Sequence, residues 1–175
     1  GLVALMLAQR NSQAFIDAVE IDPSSCEDAR YNFNHSPWKE RLTLFEYALQ
    51  DFTKARDASY NLIVCNPPFF SQSIKNSCDR KAIARHDDFL NYNELLNGSK
   101  QLLLPGGQLS LILPVAGYEN FRTLAARKGW FEYRRLDVKP SPGKKVKRVI
   151  SYWGLRVPDE PLSTGEMVVE VARHQ

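Results

Sequence analysis

No stretch of the chain approaches the roughly 18 apolar residues of a membrane-spanning helix. Its most apolar end, residues 1–8, is too short for one and lacks the basic leader and cleavage site of a signal peptide. Cysteine is scarce and odd in number. Cys26, Cys65 and Cys78 show no C-x-x-C spacing, which argues against a disulfide framework or a zinc site and for free thiols in a reducing, cytoplasmic setting. No G-x-G-x-G string occurs, and there are no repeats, low-complexity tracts or interdomain linkers. What remains is 175 residues, 43% hydrophobic and 25% charged, enough for one soluble globular domain with a sizeable core.

Acidic residues are nearly missing from one segment. Residues 134–148 hold seven basic side chains (Arg134, Arg135, Lys139, Lys144, Lys145, Lys147, Arg148) against Asp137 alone. That segment carries +6, so of the total of +3 the rest of the chain carries −3. A basic strip on a mildly acidic body points to a polyanionic partner. The competing reading is a solvated, aggregation-resistant sheet edge.

The hydrophobic pattern alternates between strand and helix lengths. Residues 2–10 read as a well-buried helix with a basic last turn. A strand over 14–20 leads to Asp22 as N-cap and Pro23 at the first helical position, starting a helix to about Asn34 with Cys26, Ala29 and Phe33 on one face. Asn34-His35-Ser36-Pro37-Trp38 breaks the chain before a strand over 42–47. Residues 71–90 are polar, irregular and too long for an ordinary connection, and read as a substrate-side lid bringing Arg85 and His86 to the site. For His86 a structural hydrogen bond is an equally good reading. Asn91 and Glu94 form a capping box for a helix to about Leu103. Pro105-Gly106-Gly107 turns into a strand over 108–114, and the helix after it, with Tyr118, Phe121, Leu124, Ala125 and Lys128 in spacing, stops at Gly129. Strand patterns over 130–138 and 148–155 form a hairpin at the sheet edge, joined by a basic loop, and a short strand over 167–173 follows.

The centre of the sequence is Tyr60-Asn61-Leu62-Ile63-Val64-Cys65-Asn66-Pro67-Pro68-Phe69-Phe70. A buried parallel strand empties into a rigid turn. The prolines cannot continue a ladder, and the residue before each is held extended. An amide, a bare carbonyl and aromatic rings are thereby presented where an open α/β sheet places its ligands. Asn-Pro alone is common turn punctuation. The longer string after a buried strand is too rare for that.

Asn66-Pro67-Pro68-Phe69 resembles motif IV of the S-adenosylmethionine-dependent methyltransferases that modify planar nitrogens. Other strings are similar to the bacterial tRNA1(Val) adenine-37 N6-methyltransferase family: residues 1–10, Asp17-Ala18-Val19-Glu20, Asn34-to-Trp38, Asn66-to-Phe70 and 144–149. The resemblance implies an α/β, Rossmann-like class I methyltransferase fold, a doubly wound, mostly parallel sheet with a closing antiparallel hairpin. It implies one domain over 1–175, with the first strand and glycine-rich loop absent, truncated at the N-terminus and open to truncation at the C-terminus. The missing G-x-G-x-G is the main departure from the family.

By the same resemblance, Asn66 and the Pro67 carbonyl accept hydrogen bonds from the target amine, and Phe69 stacks on the base with Phe70 beside it. Glu20 takes the ribose hydroxyls of S-adenosyl-L-methionine, since a carboxylate can accept from both vicinal hydroxyls. Ile21 packs on the cofactor's adenine. Ala48 and Leu49 stand where the family commonly has an acid for the adenine amine and offer backbone contacts instead. Gly1 is the last glycine of the cofactor loop, and Asn66 borders the cofactor too. Lys144, Lys145, Lys147 and Arg148 contact tRNA. No metal and no membrane are implied; monomer is the favoured state.

The chemistry is sound without the analogy. An exocyclic amine is a poor nucleophile because its lone pair is delocalised into the ring. Two acceptors on its hydrogens favour the pyramidal form and stabilise the positive charge that develops on nitrogen. The same motif would serve an rRNA guanine-N2 or a release-factor glutamine methyltransferase. A catalytically silent RNA-binding module is the reading from another class.

Overall fold

Asp22 and Pro23 start a helix for the reason the sequence suggests. The Asp22 carboxylate accepts from the Ser25 N–H (2.8 Å), and Pro23 needs no donor at the first position. That bond holds the carboxyl of Asp22 below its ordinary pKa. The structure, a computed structural model, describes residues 1–67 and 91–170. They fall into two units, Gly1–Arg56 and Asp57–Gln175.

The first unit runs α1 (Leu2–Arg10), β1 (Ile16–Glu20), α2 (Pro23–Asn34), a 3-10 turn (Lys39–Arg41), β2 (Leu42–Glu46) and α3 (Leu49–Lys54). β1 and β2 are parallel, in register from Ile16↔Leu42 to Glu20↔Glu46, with α2 as the crossover. Cys26, Ala29 and Phe33 are the buried face of α2. Arg41 holds the start of the unit. Its Nη1 donates to the carbonyls of Asn11 (2.9 Å) and Ala14 (2.7 Å), and its Nη2 to that of Ala8 (3.0 Å), satisfying acceptors that the end of α1 leaves open. α1 corrects the expectation of a well-buried helix. Only Ala4 and Ala8, one turn apart, are buried, and Leu2, Val3 and Met6 are exposed, because contact follows the small-residue stripe.

The second unit contains β3 (Tyr60–Cys65), α4 (Tyr92–Leu102), β4 (Leu103–Pro114), α5 (Val115–Arg127), β5 (Phe131–Lys139), β6 (Arg148–Gly154) and β7 (Ser163–Val168). The sheet order is β3-β4-β6-β5-β7. β3 is parallel to β4, β6 is antiparallel to both β4 and β5, and β7 is parallel to β5. The hairpin is therefore not at the edge as expected. β6 is inserted between β4 and β5, and β7 covers the outside of β5, tied there by Lys139–Glu166 (2.6 Å). β7 also starts earlier than the apolar run over 167–173, because backbone pairing with β5 engages its polar half. β4 begins at Leu103 rather than 108. The Pro105-Gly106-Gly107 stretch, with Gly106 at φ 85°, is bulged out between the Tyr60↔Leu103 and Leu62↔Gln108 pairs.

The capping box is as read. Asn91 Oδ1 accepts from the Glu94 N–H and Glu94 Oε2 from the Asn91 N–H, both at 3.0 Å. Leu95, Leu96 and Leu102 of α4, Tyr118, Phe121 and Ala125 of α5, Leu109, Leu111 and Leu113 of β4, and Val149 and Trp153 of β6 make the core. Phe121 joins the layers, edge-on to Tyr92 at 5.3 Å and to Trp153 at 5.4 Å. Among the described residues no helix is long and apolar enough to cross a membrane.

Candidate active site

β3 delivers the central turn. Val64 and Cys65 still pair with Ser110 and Leu111 of β4, and the ladder stops where Pro67 offers no N–H. The Pro67 side chain is fully buried and anchors the turn, while Asn66 before it is exposed. The Asn66 amide has no hydrogen-bond partner among the described residues. Behind it, burial pushes the Cys65 thiol up to about 12, which keeps it protonated and inert. Phe69, Phe70, Arg85 and His86 lie outside the described residues.

The basic hairpin reaches the same end of the sheet. Pro114, the last residue of β4, is the register partner of Arg148, the first of β6, and the Val115 N–H donates to the Lys147 carbonyl (3.3 Å). β3 and β6 flank β4, so Asn66 and the hairpin are separated laterally by two strand spacings, about 10 Å. Of the seven basic residues, Arg135 is paired with Asp137 (2.8 Å) and Lys139 with Glu166. Lys144, Lys145 and Lys147 are exposed and have no carboxylate partner among the described residues; Arg148 is exposed beside them.

In the first unit, Glu20 ends β1 with its carboxylate fixed by its own turn. Oε1 accepts from the N–H groups of Ile21 and Asp22, both at 2.9 Å. Oε2 has no partner among the described residues and is left to accept from outside. Ile21 is 53% exposed, a large apolar side chain beside an open carboxylate. On the neighbouring strand Ala48 caps α3 and Leu49 begins it, at the same end of the two-stranded sheet. A carboxylate with a spare acceptor, an exposed aliphatic side chain and a fresh helix start suit a nucleoside's ribose hydroxyls and base. Gly1 has a packing reason of its own: a Cβ there would lie 2.8 Å from Phe33 Cε1 and 3.0 Å from Ala29 Cβ. Among the described residues no group of His, Cys, Asp and Glu could hold a metal ion.

Two features escaped the sequence. Glu46, rung partner of Glu20, is held by Arg30 (3.2 Å), a pairing sixteen residues apart that no local pattern announces. Tyr92 opens α4 with Gly117 of α5 against its hydroxyl, a contact twenty-five residues apart that no local pattern announces.

The methyltransferase small domain model matches residues 1–116. The tRNA1(Val) (adenine(37)-N6)-methyltransferase of Trichodesmium erythraeum is 40% identical over 176 residues, covering 99% of this chain and 73% of that protein. The protein of the same name from Flavobacterium psychrophilum is 36% identical, covering 99% and 74%. This chain belongs to that family. Among solved structures, a predicted O-methyltransferase from Agrobacterium tumefaciens superposes with a TM-score of 0.66 at 14% identity, covering 94% of this chain and 72% of that one. The shared feature is the Rossmann-like class I methyltransferase fold, to which the antiparallel β6 between two parallel strands belongs. Within its own unit each of these residues sits at the C-terminal end of a parallel strand, Glu20 closing β1 and Asn66 following β3.

Proposed function

We propose that the chain transfers a methyl group from S-adenosyl-L-methionine to the exocyclic N6 of an adenine in tRNA, at position 37 of the anticodon loop. The observation that carries this is the Asn66 amide, exposed, without a partner among the described residues and next to a buried proline, at the end of the sheet where lysines with no carboxylate partner among those residues also gather. Family membership and the relatives' activity supply the substrate.

S-adenosyl-L-methionine, when bound, supplies an electrophilic methyl group on a sulfonium. The residues of the chain do the rest. Glu20 Oε2 would take the cofactor's ribose hydroxyls, Ile21 would pack on its adenine, Ala48 and Leu49 would offer backbone contacts to that base, and Gly1 would belong to the loop that holds its methionine part. Asn66 Oδ1 and the Pro67 carbonyl accept the two N–H groups of the target amine. The lone pair is released from the ring, and charge growing on nitrogen meets two fixed dipoles. As the nitrogen takes the methyl, the carbon–sulfur bond would break with its electron pair left on sulfur as a neutral thioether, and the methylated nitrogen would give up a proton to water, so no strong base is required. Phe69 is assigned to stack on the flipped base, worth roughly 1–3 kcal/mol, and Phe70, Arg85 and His86 to contact the substrate, roles that rest on the family resemblance alone. Lys144, Lys145, Lys147 and Arg148 hold phosphates. An anticodon-loop base is unpaired, so extracting it costs less than opening a duplex. This work belongs in the cytoplasm, in keeping with Cys26 and Cys65 as free thiols.

The test is labelled-methyl transfer to total tRNA, rRNA and release factor, with nucleoside analysis of the product. Incorporation as N6-methyladenine in tRNA, abolished when adenine 37 is replaced, is expected. Label in rRNA, in protein or in nothing overturns the assignment.

A further inference from the structure

The side chain of Tyr92 is held in place while its hydroxyl makes no hydrogen bond among the described residues. α4 carries it back along β3. The Ser59 N–H donates to the Leu102 carbonyl (2.9 Å), so the last turn of α4 lies where β3 begins. Eleven helical residues cover about 16 Å, against about 20 Å for the six residues of β3. Tyr92 therefore returns to the end of the sheet where Cys65 gives way to Asn66. α5 also starts at that end, directly after Pro114.

Two contacts fix the ring there. Phe121 meets it edge-on, with centroids 5.3 Å apart and planes at 88°. The hydroxyl lies over Gly117, where a Cβ would be 2.8 Å from the oxygen, so only glycine leaves the space. A half-buried tyrosine hydroxyl ordinarily finds a partner. Two tyrosines of the same unit do: Tyr118 donates to Glu132, and Tyr133 to the Arg156 carbonyl (2.9 Å). Tyr92 has none among the described residues. Burial raises its pKa, so it stays a donor across the working range. The exposed basic loop reaches the same end of the sheet, because the Lys147 carbonyl accepts from the Val115 N–H two residues before Gly117.

We propose that Tyr92 is a substrate-binding residue whose hydroxyl donates a hydrogen bond to a phosphodiester oxygen of the tRNA strand carrying the target base. This rests on the proposed function and adds to it a contact that is uncharged and insensitive to pH.

The experiment compares wild type, Tyr92→Phe and Gly117→Ala in steady-state methyl transfer to tRNA, with melting temperatures alongside. Tyr92→Phe keeps the ring and its contact with Phe121. It should raise KM for tRNA about tenfold, the loss of one hydrogen bond to a charged acceptor, with kcat within twofold and KM for S-adenosyl-L-methionine unchanged. Gly117→Ala keeps the hydroxyl but displaces it, and should raise the same KM. An unchanged KM in Tyr92→Phe, a fall in kcat alone, or a lowered melting temperature in place of the KM effect overturns the assignment. Absence of tRNA methylation in wild type overturns the proposed function instead, and this contact with it.

Discussion

Glu20 and Glu46 are rung partners at the ends of adjacent parallel strands, and their carboxylates are held in different ways. Arg30 holds Glu46 Oε2 at 3.2 Å, while Glu20 is braced through Oε1 by two backbone N–H groups and keeps Oε2 open. Bracing fixes the direction of the open oxygen in advance, which lowers the ordering cost of binding.

The pair thus serves as an internal control. Glu20→Gln should weaken S-adenosyl-L-methionine binding about tenfold or more, by loss of a charge-assisted hydrogen bond. Glu46→Gln should leave it within twofold. Calorimetry with both variants checks this, and equal effects would remove Glu20 from the cofactor site.

Asn66→Ala should reduce turnover by about 10²–10³, the cost of losing one preorganised partner of a developing charge. The side chain is exposed and makes no bond among the described residues, so stability should be unchanged. Dissociation constants for cofactor and tRNA should stay near wild type, with single-turnover transfer carrying the loss. A full loss of tRNA binding in place of turnover would make Asn66 a docking residue.

Lys144, Lys145 and Lys147 have no carboxylate partner among the described residues, so their neutralisation reads out the tRNA contact directly. With Arg148 included, replacement by glutamine should flatten the log Kd against log salt dependence for tRNA by nearly one unit for each true phosphate contact. Neutralising Lys139 should have little effect on that slope, because Glu166 already holds it at 2.6 Å. An unchanged slope in the fourfold variant would return the hairpin to a solvated surface.

How much of this was legible depended on whether the cause was local. The Asp22–Pro23 start, the Asn91/Glu94 box and the stop at Gly129 (φ 78°) are each settled within a few residues, and each was readable. The end of β3 at Cys65 was readable because proline acts on its immediate neighbours, whereas β3 itself, expected to be buried, has Leu62 and Val64 exposed. What could not be read was pairing between distant segments. Nothing in residues 130–155 says that β6 will pass inside β5, or that the polar residues 163–166 will be recruited to cover it. The same holds for function. Glu20 announces itself by ending a strand, but that Glu46 is spent on Arg30, and that Tyr92 leans on Gly117, follows only from tertiary packing.

Tyr118 and Glu132 supply the pH test of the second unit. The Tyr118 hydroxyl is 2.6 and 2.8 Å from the two oxygens of Glu132 and donates to that carboxylate, with Arg135 4.8 Å over the Tyr118 ring. Burial raises the pKa of Glu132 despite this donor and the nearby Arg135 and Arg122, and raises that of Tyr118 further above its ordinary value. The folded state therefore binds the Glu132 proton more tightly than the unfolded chain does. Stability from this group falls as pH rises from the ordinary carboxylate value through the raised one. Glu132→Gln keeps an acceptor for Tyr118 and removes the titration, so its stability should lack that fall and gain on wild type toward neutral pH. Tyr118→Phe should act in the opposite sense, costing about 1–3 kcal/mol at neutral pH by leaving a half-buried carboxylate without its donor. Urea unfolding of both variants from the acid side to pH 8 decides the matter. Parallel curves for wild type and Glu132→Gln would mean that the carboxylate is solvated after all.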